Sequence, residues 1–295
     1  MRKAFLQKVS DIIRNESDTF FMTVDIGMWA LKNELDHHSD RCMNIGIFED
    51  GMMSFAAGLS RVGLVPTIFG IQPYLIERAF EQIKMDFAYQ KLGVNIVGTG
   101  AACDYSKYGY SHYCPEDLML IKCLPGCEFV APGTPKQFIQ LFNQSYRNGH
   151  PTFFRISDHP NLVHDVDVSF GKANVIQRGS LATVVVVSIM LDEVMKVCSN
   201  LDVTVLYYTT LEPFDANTLR ENFSRNILIV EPEYEGSLLY DIYKAIGNKA
   251  NISTLGFKRE IFRNYGTYDD KMNYYGLNSS NILLKLDELI KTNKI

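Results

Sequence analysis

The chain has 295 residues, of which 46% are hydrophobic and 21% charged, and a net charge of −5 at pH 7. This length predicts two domains of about 100–200 residues each. The acidic balance excludes the basic surface that nucleic-acid-binding proteins carry. A membrane-spanning helix is excluded as well, because no uninterrupted apolar run reaches the roughly 18 residues that it requires.

The six cysteines are scattered along a chain that is too long to depend on disulfides. Cys123 and Cys127 form a CxxxC pair, but no second cysteine or histidine pair lies at zinc-site spacing. The amino-terminal residues lack the long apolar segment of a secretory signal peptide and predict an amphipathic helix. We therefore predict reduced thiols, no metal site in this chain and a cytoplasmic location.

Strand-like and helix-like segments alternate from the first residues to residue 156, which predicts a mostly parallel sheet flanked by helices. The predicted strands are residues 19–24, 43–48, 64–69, 94–98, 129–131 and 152–156. The predicted helices are residues 2–14, 29–35, 49–62, 73–92 and 135–148, with a further helix beginning at Pro115-Glu116-Asp117.

Residues 157–180 lose the apolar periodicity and are rich in Asp, His, Pro and Gly, which is typical of a linker. A second α/β unit follows, with predicted strands at 182–187, 203–208 and 226–230 and predicted helices at 190–200, 215–222, 236–246 and 282–290. We therefore predict an α/β fold with two domains, each a mostly parallel sheet flanked by helices. The predicted domains are residues 1–165 and 181–295, joined by a linker at 166–180.

Glu49 follows an apolar segment that predicts a strand and precedes a helix rich in Met, Ala and Phe. Ligands of open α/β sheets bind at the carboxyl ends of the strands. An acid surrounded there by apolar side chains is favoured in its protonated form, which can donate a hydrogen bond to a ring nitrogen. The alternative is an acid that is favoured by the dipole of the helix it begins. The local sequence leaves both interpretations open.

Three further features suggest binding sites at first sight. The segment Gly98-Thr99-Gly100 lacks the third glycine and the following helix of a dinucleotide-binding loop, so a Rossmann cofactor site is not predicted. His37 and His38 lie beside acidic residues and could bind a metal, but a solvated turn is favoured. His112 follows a glycine-containing, tyrosine-rich loop and precedes a helix start, so it either projects into a cleft or is a structural histidine.

Four short segments form a pattern that extends over nearly the whole chain. They are residues 41–50, 66–83, 95–117, and 211–215 with 230–233. Residues 41–50 are similar to R-x-x-N-x-G-I-A-E-Q, and residues 73–83 to P-F-x-x-R-A-x-E-Q-I. The third segment is similar to V-G-x-G-x-x-x-Y-x-x-x-G-x-T-H-H-x-x-E-D, and the fourth to I-K-P-L-D and V-E-E-H. In this order and spacing they resemble the C-terminal half of transketolase, and most closely the separately encoded C-terminal sections of that thiamine-diphosphate-dependent family.

The resemblance implies a cofactor site built around Glu49. It implies that this acid faces N1′ of the aminopyrimidine ring, where exchange of a proton assists the removal of the proton from the thiazolium C2. Tyr74 falls on the family's aromatic residue that stacks on the pyrimidine, and Ile71 replaces a second aromatic residue. Asp25, which follows the first predicted strand, completes the predicted cofactor-binding set.

The resemblance also implies substrate contacts. His112 aligns with a histidine that hydrogen-bonds sugar hydroxyls near the reacting carbon, and Arg2 with an arginine that reaches the substrate phosphate. Two positions depart from the family pattern. Tyr108 stands where an aspartate reads a substrate hydroxyl, and Asp158 stands where a second arginine binds phosphate. Because a carboxylate repels a sugar phosphate, we predict an acceptor that is an unphosphorylated, deoxy or nucleotide-linked sugar or an aldehyde.

The chain has no Gly-Asp-Gly motif, with which the family holds Mg²⁺ and the diphosphate. The resemblance therefore implies the smaller subunit of a split enzyme, with Mg²⁺ held by a diphosphate-binding partner subunit in an α2β2 heterotetramer. The implied reaction moves a two-carbon ketol unit from a ketose or a hydroxypyruvate-like donor to an aldehyde. Three alternatives stay open: the β subunit of a 2-oxoacid decarboxylating enzyme, a deoxyxylulose-phosphate-synthase-like enzyme, and a catalytically silent scaffold.

Overall fold

The computed structural model describes residues 1–261, 263 and 265–291. The predicted α/β class is confirmed, because helices flank two mostly parallel sheets. Within the described residues, the first sheet has seven strands and the second has five. The strands are β1 Thr19–Thr23, β2 Cys42–Asn44, β3 Val65–Ile71, β4 Val94–Thr99, β5 Glu128–Val130, β6 Pro151–Ile156, β7 Asn174–Gln177, β8 Ala182–Val187, β9 Val203–Tyr208, β10 Thr210–Glu212, β11 Asn226–Tyr234 and β12 Asn251–Phe257.

The helices cover both faces of each sheet, so the central strands are buried on two sides. The α-helices are α1 Arg2–Asn15, α2 Lys32–His37, α3 Glu49–Arg61, α4 Phe80–Gln82, α5 Asp117–Lys122, α6 Pro135–Ser145, α7 Leu191–Cys198, α8 Ala216–Asn222, α9 Leu239–Ile246, α10 Tyr268–Tyr274 and α11 Ser279–Lys291. Short 3₁₀ turns occupy Met28–Leu31, Ser106–Tyr108, Tyr110–His112 and Ser188–Met190.

The first sheet has the strand order β10-β5-β6-β4-β3-β1-β2. All of its neighbouring strands are parallel except β10, which runs antiparallel to β5. In the chain, β10 comes directly after β9 of the second sheet. The carboxyl-terminal half of the chain therefore supplies an edge strand to the sheet of the amino-terminal half.

The second sheet has the order β12-β11-β8-β9-β7, with β8 at its centre. The residues of β8 are mostly valine and all are buried, as expected for a parallel strand covered on both faces. β7 lies within the predicted linker 166–180 and pairs antiparallel with β9. Its residues are only half-buried, so the sequence there lacks the apolar pattern of a core strand. The domain boundaries given above stay a prediction.

Two predicted elements differ from the structure in the region of Glu49. The predicted strand 43–48 is limited to β2, because residues 45–48 turn towards α3. The predicted helix 73–92 is not a continuous α-helix: π-helical turns at Tyr74–Arg78 and Ile83–Ala88 flank the short α4. Apolar periodicity predicts that such a segment is helical but does not reveal extra residues in its turns. π-helical turns are rare in proteins, but those that exist are often found at functional sites. The two turns therefore mark this segment as a candidate functional region.

Besides β7, three elements were not predicted: β10, β12 and α10. The first has only three residues, and the second is an edge strand that begins with exposed and half-buried side chains. Helix α10 did carry a signal, since Thr267 and Asp270 form a reciprocal capping box at its start.

Aromatic packing positions helix α1 against the first sheet. The ring of Phe5 lies 5.0 Å from that of Phe69 on β3 and 5.7 Å from that of Phe138 on α6, measured between centroids. Tilted and edge-to-face pairs of this kind add to the energy of apolar burial. They fix the amino-terminal turn of α1 beside the sheet, where Arg2 lies. Among the described residues, no helix combines the length and apolar character needed to cross a bilayer.

Candidate functional site

Several sequence-predicted residues lie along the carboxyl edge of the first sheet. Asp25 follows β1, and Glu49 begins the helix that follows β2. Ile71 ends β3 and pairs in register with Thr99, which ends β4. Parallel strands bring their carboxyl ends to one edge, which is where open α/β sheets bind ligands.

Asn44, at the end of β2, forms hydrogen bonds with the loop after β1 and with the loop before α3. Its Nδ2 donates to Oδ1 of Asp25 at 2.7 Å. Its Oδ1 accepts from the backbone N–H of Asp25 at 2.9 Å and from that of Gly46 at 3.1 Å. Gly46 has a φ of 76°, a conformation that favours glycine. These bonds set the direction in which the chain enters α3, so Asp25 supports the position of Glu49. Whether Asp25 also binds a cofactor stays a prediction.

Glu49 is the first residue of α3, and its side chain is only 2% exposed. Arg78 Nη1 donates to its Oε2 at 2.5 Å. The entirely apolar surroundings predicted from the sequence are therefore wrong, because a guanidinium reaches the carboxylate from the π-turn after β3. A charged donor stabilises a buried carboxylate far better than a neutral one does. The position at a helix start agrees with the helix-dipole interpretation as well.

Arg78 makes a second contact, with Tyr74. Its guanidinium carbon lies 4.6 Å from the centroid of the Tyr74 ring, within cation–π distance. The Tyr74 hydroxyl lies 3.3 Å from both ring nitrogens of His112. A continuous series of contacts thus runs from Glu49 through Arg78 and Tyr74 to His112, and three of these four residues were predicted from the sequence.

His112 lies in a cluster of tyrosines. Its ring centroid is 5.1 Å from that of Tyr108 and 6.5 Å from that of Tyr105. Burial lowers the pKa of His112, so its imidazole is neutral at neutral pH and can both donate and accept a hydrogen bond. Arg2 Nη1 lies 3.5 Å from the Tyr105 hydroxyl. The structure therefore brings the predicted substrate residues Arg2, Tyr108 and His112 close to Tyr105.

Asp158 follows β6 and is exposed at the same edge of the sheet. Its backbone N–H donates to Oδ2 of Asp104 at 2.8 Å, and the Ser157 hydroxyl donates to Oδ1 at 2.9 Å. Burial raises the pKa of Asp104 to about 7. Burial and, to a smaller degree, the charge of Asp158 raise the pKa of Tyr105. Asp158 thus lies near Tyr105. Sequence reasoning missed Asp104, although an acid that follows a run of small residues after a buried strand was a usable signal.

Two places bear on metal binding: His37, which the sequence singled out with His38, and one group of ligating side chains among the described residues. His37 Nδ1 lies 3.0 Å from the Asn33 carbonyl oxygen at the exposed end of α2, as in the solvated turn that was favoured. Next to Arg78, ligand atoms of Glu77, Cys114 and Glu116 lie within 4.8 Å of one another. Burial raises the pKa of all three, which opposes the deprotonation that metal binding requires.

The residues at this edge fit an aminopyrimidine ring. Such a ring needs an acid for its nitrogen and an aromatic face for stacking, which Glu49 and Tyr74 provide. A planar, nitrogen-bearing cation, the Arg78 guanidinium, already occupies the position between them. The chemistry of the site thus suits the pyrimidine half of thiamine diphosphate.

Comparison with known proteins agrees with this geometry. Residues 1–159 match the family model described as "Transketolase, pyrimidine binding domain". The chain is 31% identical over 290 residues to the "Uncharacterized 33.6 kDa protein in fasciation locus" of Rhodococcoides fascians, covering 96% of this chain and 92% of that protein. It is 23% identical to one of the subunits of the apulose-4-phosphate transketolase of Phocaeicola vulgatus, covering 98% of this chain and 97% of that relative.

A solved structure described as "Split gene transketolase, inactive beta4 tetramer" has a similar fold. It superposes with a TM-score of 0.86 at 22% identity, and the match covers 98% of both chains. This similarity extends the match beyond residue 159 and includes the second sheet. Because the family model covers more than half of the sequence and the Rhodococcoides relative aligns over nearly all of it, this chain belongs to the transketolase family, as its four sequence motifs predicted.

Proposed function

We propose that this transketolase-like subunit is the smaller half of a split, thiamine-diphosphate-dependent enzyme. The enzyme transfers a two-carbon ketol unit from a ketose or a hydroxypyruvate-like donor to an aldehyde. The observation that supports this most is the buried Glu49 at the carboxyl edge of the first sheet, which is connected through Arg78 to the ring of Tyr74. An acid and an aromatic face in this relation suit an aminopyrimidine.

The chain's own residues take distinct roles in this proposal. Glu49 holds the proton at the pyrimidine N1′, Tyr74 stacks on the ring, and Ile71 forms an aliphatic wall. Asp25, held by Asn44, keeps the loop before Glu49 in place and borders the ring. When bound, thiamine diphosphate supplies the nucleophilic carbon that accepts and releases the two-carbon unit.

His112 is the proposed group that contacts the reacting sugar. As a neutral imidazole it can hydrogen-bond a sugar hydroxyl, with the Tyr74 hydroxyl limiting the freedom of its ring. Arg2, beside Tyr105, lies where it can reach the far end of a substrate. Tyr108 replaces the family's aspartate and offers a phenol hydroxyl and an apolar ring instead of a carboxylate.

Asp158 is the proposed determinant of the acceptor. Its carboxylate adds negative charge where a phosphate would lie in other transketolases, and its backbone N–H donates to Asp104. We propose that the acceptor carries no phosphate there and is an unphosphorylated, deoxy or nucleotide-linked sugar or an aldehyde. The reconstituted enzyme should have a higher kcat/KM for ribose than for ribose 5-phosphate. Asp158→Asn should raise kcat/KM for the phosphate ester, whereas Asp40→Asn, at the opposite end of β2, should not. A preference of the wild type for the ester would refute this assignment.

A partner subunit is proposed to complete the site. The chain lacks a Gly-Asp-Gly motif, so Mg²⁺ and the diphosphate need a second chain. Apolar side chains beside the site are exposed, Ile47 by 71% and Phe48 by 57%, which suits an interface. The solved relative is named as an inactive tetramer of β chains. We propose an α2β2 heterotetramer in the cytoplasm, whose partner carries Gly-Asp-Gly followed by a metal-binding asparagine.

Reconstitution tests this function. The purified chain alone should bind thiamine diphosphate weakly and show no turnover of hydroxypyruvate. Addition of the partner should produce both Mg²⁺-dependent binding, measured by calorimetry, and turnover. Tight Mg²⁺-dependent binding by the isolated chain would contradict the split site. Turnover of pyruvate in preference to hydroxypyruvate would support the 2-oxoacid or deoxyxylulose-phosphate-synthase-like alternatives instead.

A further inference from the structure

The Arg78 guanidinium makes the same two contacts that the proposed function assigns to the aminopyrimidine. It donates a hydrogen bond to Oε2 of Glu49 at 2.5 Å, and its carbon lies 4.6 Å from the centre of the Tyr74 ring. A guanidinium is planar, carries several N–H donors and stacks on aromatic faces. It therefore shares with an aminopyrimidine the features that this site recognises.

These two contacts compete with a ring that uses the same carboxylate oxygen and the same face of Tyr74. The Glu49 side chain is only 2% exposed, and its Oε2 already accepts a hydrogen bond from Arg78. The guanidinium also covers one face of Tyr74. A heterocycle that stacks on this face and bonds to this oxygen has to displace Arg78 from both.

We propose that Arg78 closes the pyrimidine site in the cofactor-free chain and swings out when thiamine diphosphate binds. The inference rests on the proposed function and makes Arg78 a positioning residue that acts through Glu49. Three properties of the chain suit such a movement. The arginine side chain is long, it is 45% exposed, and it extends from a π-helical turn.

The exchange leaves no buried group without a partner. Arg78 is already half in solvent, so water takes over its charge when the side chain leaves. Glu49 loses the Arg78 donor and takes up a proton from solvent, and the protonated acid then donates a hydrogen bond to the ring nitrogen, which avoids the penalty for an unsatisfied buried acid. The closed state has one cost: the apparent Kd for the cofactor equals the intrinsic value divided by the fraction of molecules with an open site. Removal of Arg78 should therefore strengthen cofactor binding.

The test compares variants in the complex reconstituted with the partner. Arg78→Gln keeps an N–H donor without charge, and Arg78→Ala removes the side chain beyond Cβ. The matched control is Arg61→Ala, at the opposite end of α3, where the exposed guanidinium donates to Gln90 at 3.0 Å. Thiamine diphosphate with Mg²⁺ is titrated by calorimetry.

Both Arg78 variants should bind thiamine diphosphate with a Kd at least about fivefold lower than the wild type, and Arg61→Ala should leave it unchanged. Arg78→Lys keeps the charge but loses the planar group that stacks on Tyr74. Its Kd should therefore lie between that of the wild type and that of Arg78→Gln. Equal or weaker binding by folded Arg78→Gln would overturn the inference while the proposed function stands. Absence of binding by every complex, the wild type included, would overturn both.

Discussion

Glu49 and Glu233 are both buried glutamates held by an arginine, but the surroundings of the two arginines differ. Arg78, which binds Glu49, is 45% exposed at the carboxyl edge of the first sheet. Arg155, which binds Glu233, is only 2% exposed, because it extends from β6 of the first sheet to β11 of the second. Arg155 also donates to Asp117 at 3.3 Å. One pair lies at a surface and the other lies between two sheets.

The difference shows how one kind of ion pair serves two purposes. A sealed pair cannot open without leaving charges out of water, which costs several kcal/mol per ion. It therefore fixes the relation between the two sheets. The pair at the surface can separate because one of its members is already hydrated, and a ligand can replace that member. We expect mutations of the first pair to change activity and mutations of the second to change stability.

The largest expected effect is on catalysis. Glu49→Gln in the reconstituted enzyme should lower kcat by about 10²–10⁴-fold, the usual contribution of a proton-transferring side chain. The free energy of unfolding should change by about 1 kcal/mol or less, because the lost pair involves a half-exposed arginine. Steady-state kinetics and urea denaturation measure the two quantities. Unchanged turnover would instead favour the catalytically silent scaffold.

The next effect is on stability. Arg155→Ala leaves Asp117 and Glu233 buried without their cation, so the free energy of unfolding should fall by about 3–5 kcal/mol in urea denaturation. The control is Arg147→Ala, which breaks exposed pairs with Glu16 and Asp18 and should cost less than about 1 kcal/mol. Similar losses in the two variants would mean that the sealed pair does not hold the sheets together.

The buried acids near Arg155 should also make the free energy of unfolding dependent on pH. Burial raises the pKa of Asp117 to about 7, and burial with repulsion from Glu233 raises that of Glu231 to about 8. Folding therefore retains protons that the unfolded chain releases near pH 4. The stabilisation that these groups add to the free energy of unfolding is fully present below about pH 4. It is lost as the pH rises through 7 and 8. The urea midpoint should fall between pH 6 and pH 9, and Glu231→Gln should reduce that fall. A flat profile in the wild type would contradict these directions.

The smallest expected effect concerns the contact between Tyr74 and His112. Tyr74→Phe keeps the stacking ring and removes the hydroxyl that lies 3.3 Å from His112. We expect unchanged affinity for thiamine diphosphate and a kcat/KM for the sugar about fivefold lower, the equivalent of one hydrogen bond of about 1 kcal/mol. Tyr89→Phe, at an exposed tyrosine, is the control. A loss of cofactor affinity in Tyr74→Phe would show that the hydroxyl serves the ring and not the substrate.

The buried parallel strands could be predicted from the sequence because their composition is determined locally. The valine run 182–187 forms a core strand whatever its neighbours are, and it is a strand at these residues. β7 and β10 could not be predicted in the same way. Each has three or four residues at a sheet edge, and each depends on a partner strand distant in the chain.

In the site, too, some residues could be predicted from the sequence and others could not. Glu49, Tyr74 and His112 could be named from motifs, and the contacts with Arg78 and Tyr74 bring them together. The ion pair of Glu49 with Arg78 was missed, because it joins residues 29 positions apart through a π-turn that periodicity does not reveal. Asp104 was missed because its role depends on the backbone of Asp158 in another loop.

The return of β10 to the first sheet limits how this protein can be dissected. A fragment that stops at residue 180 would keep the six amino-terminal strands but would lose the one that covers β5. The backbone groups of β5 would then be exposed along an open margin, and unpaired margins of this kind favour aggregation between molecules. The pyrimidine-binding half is therefore best studied within the intact polypeptide.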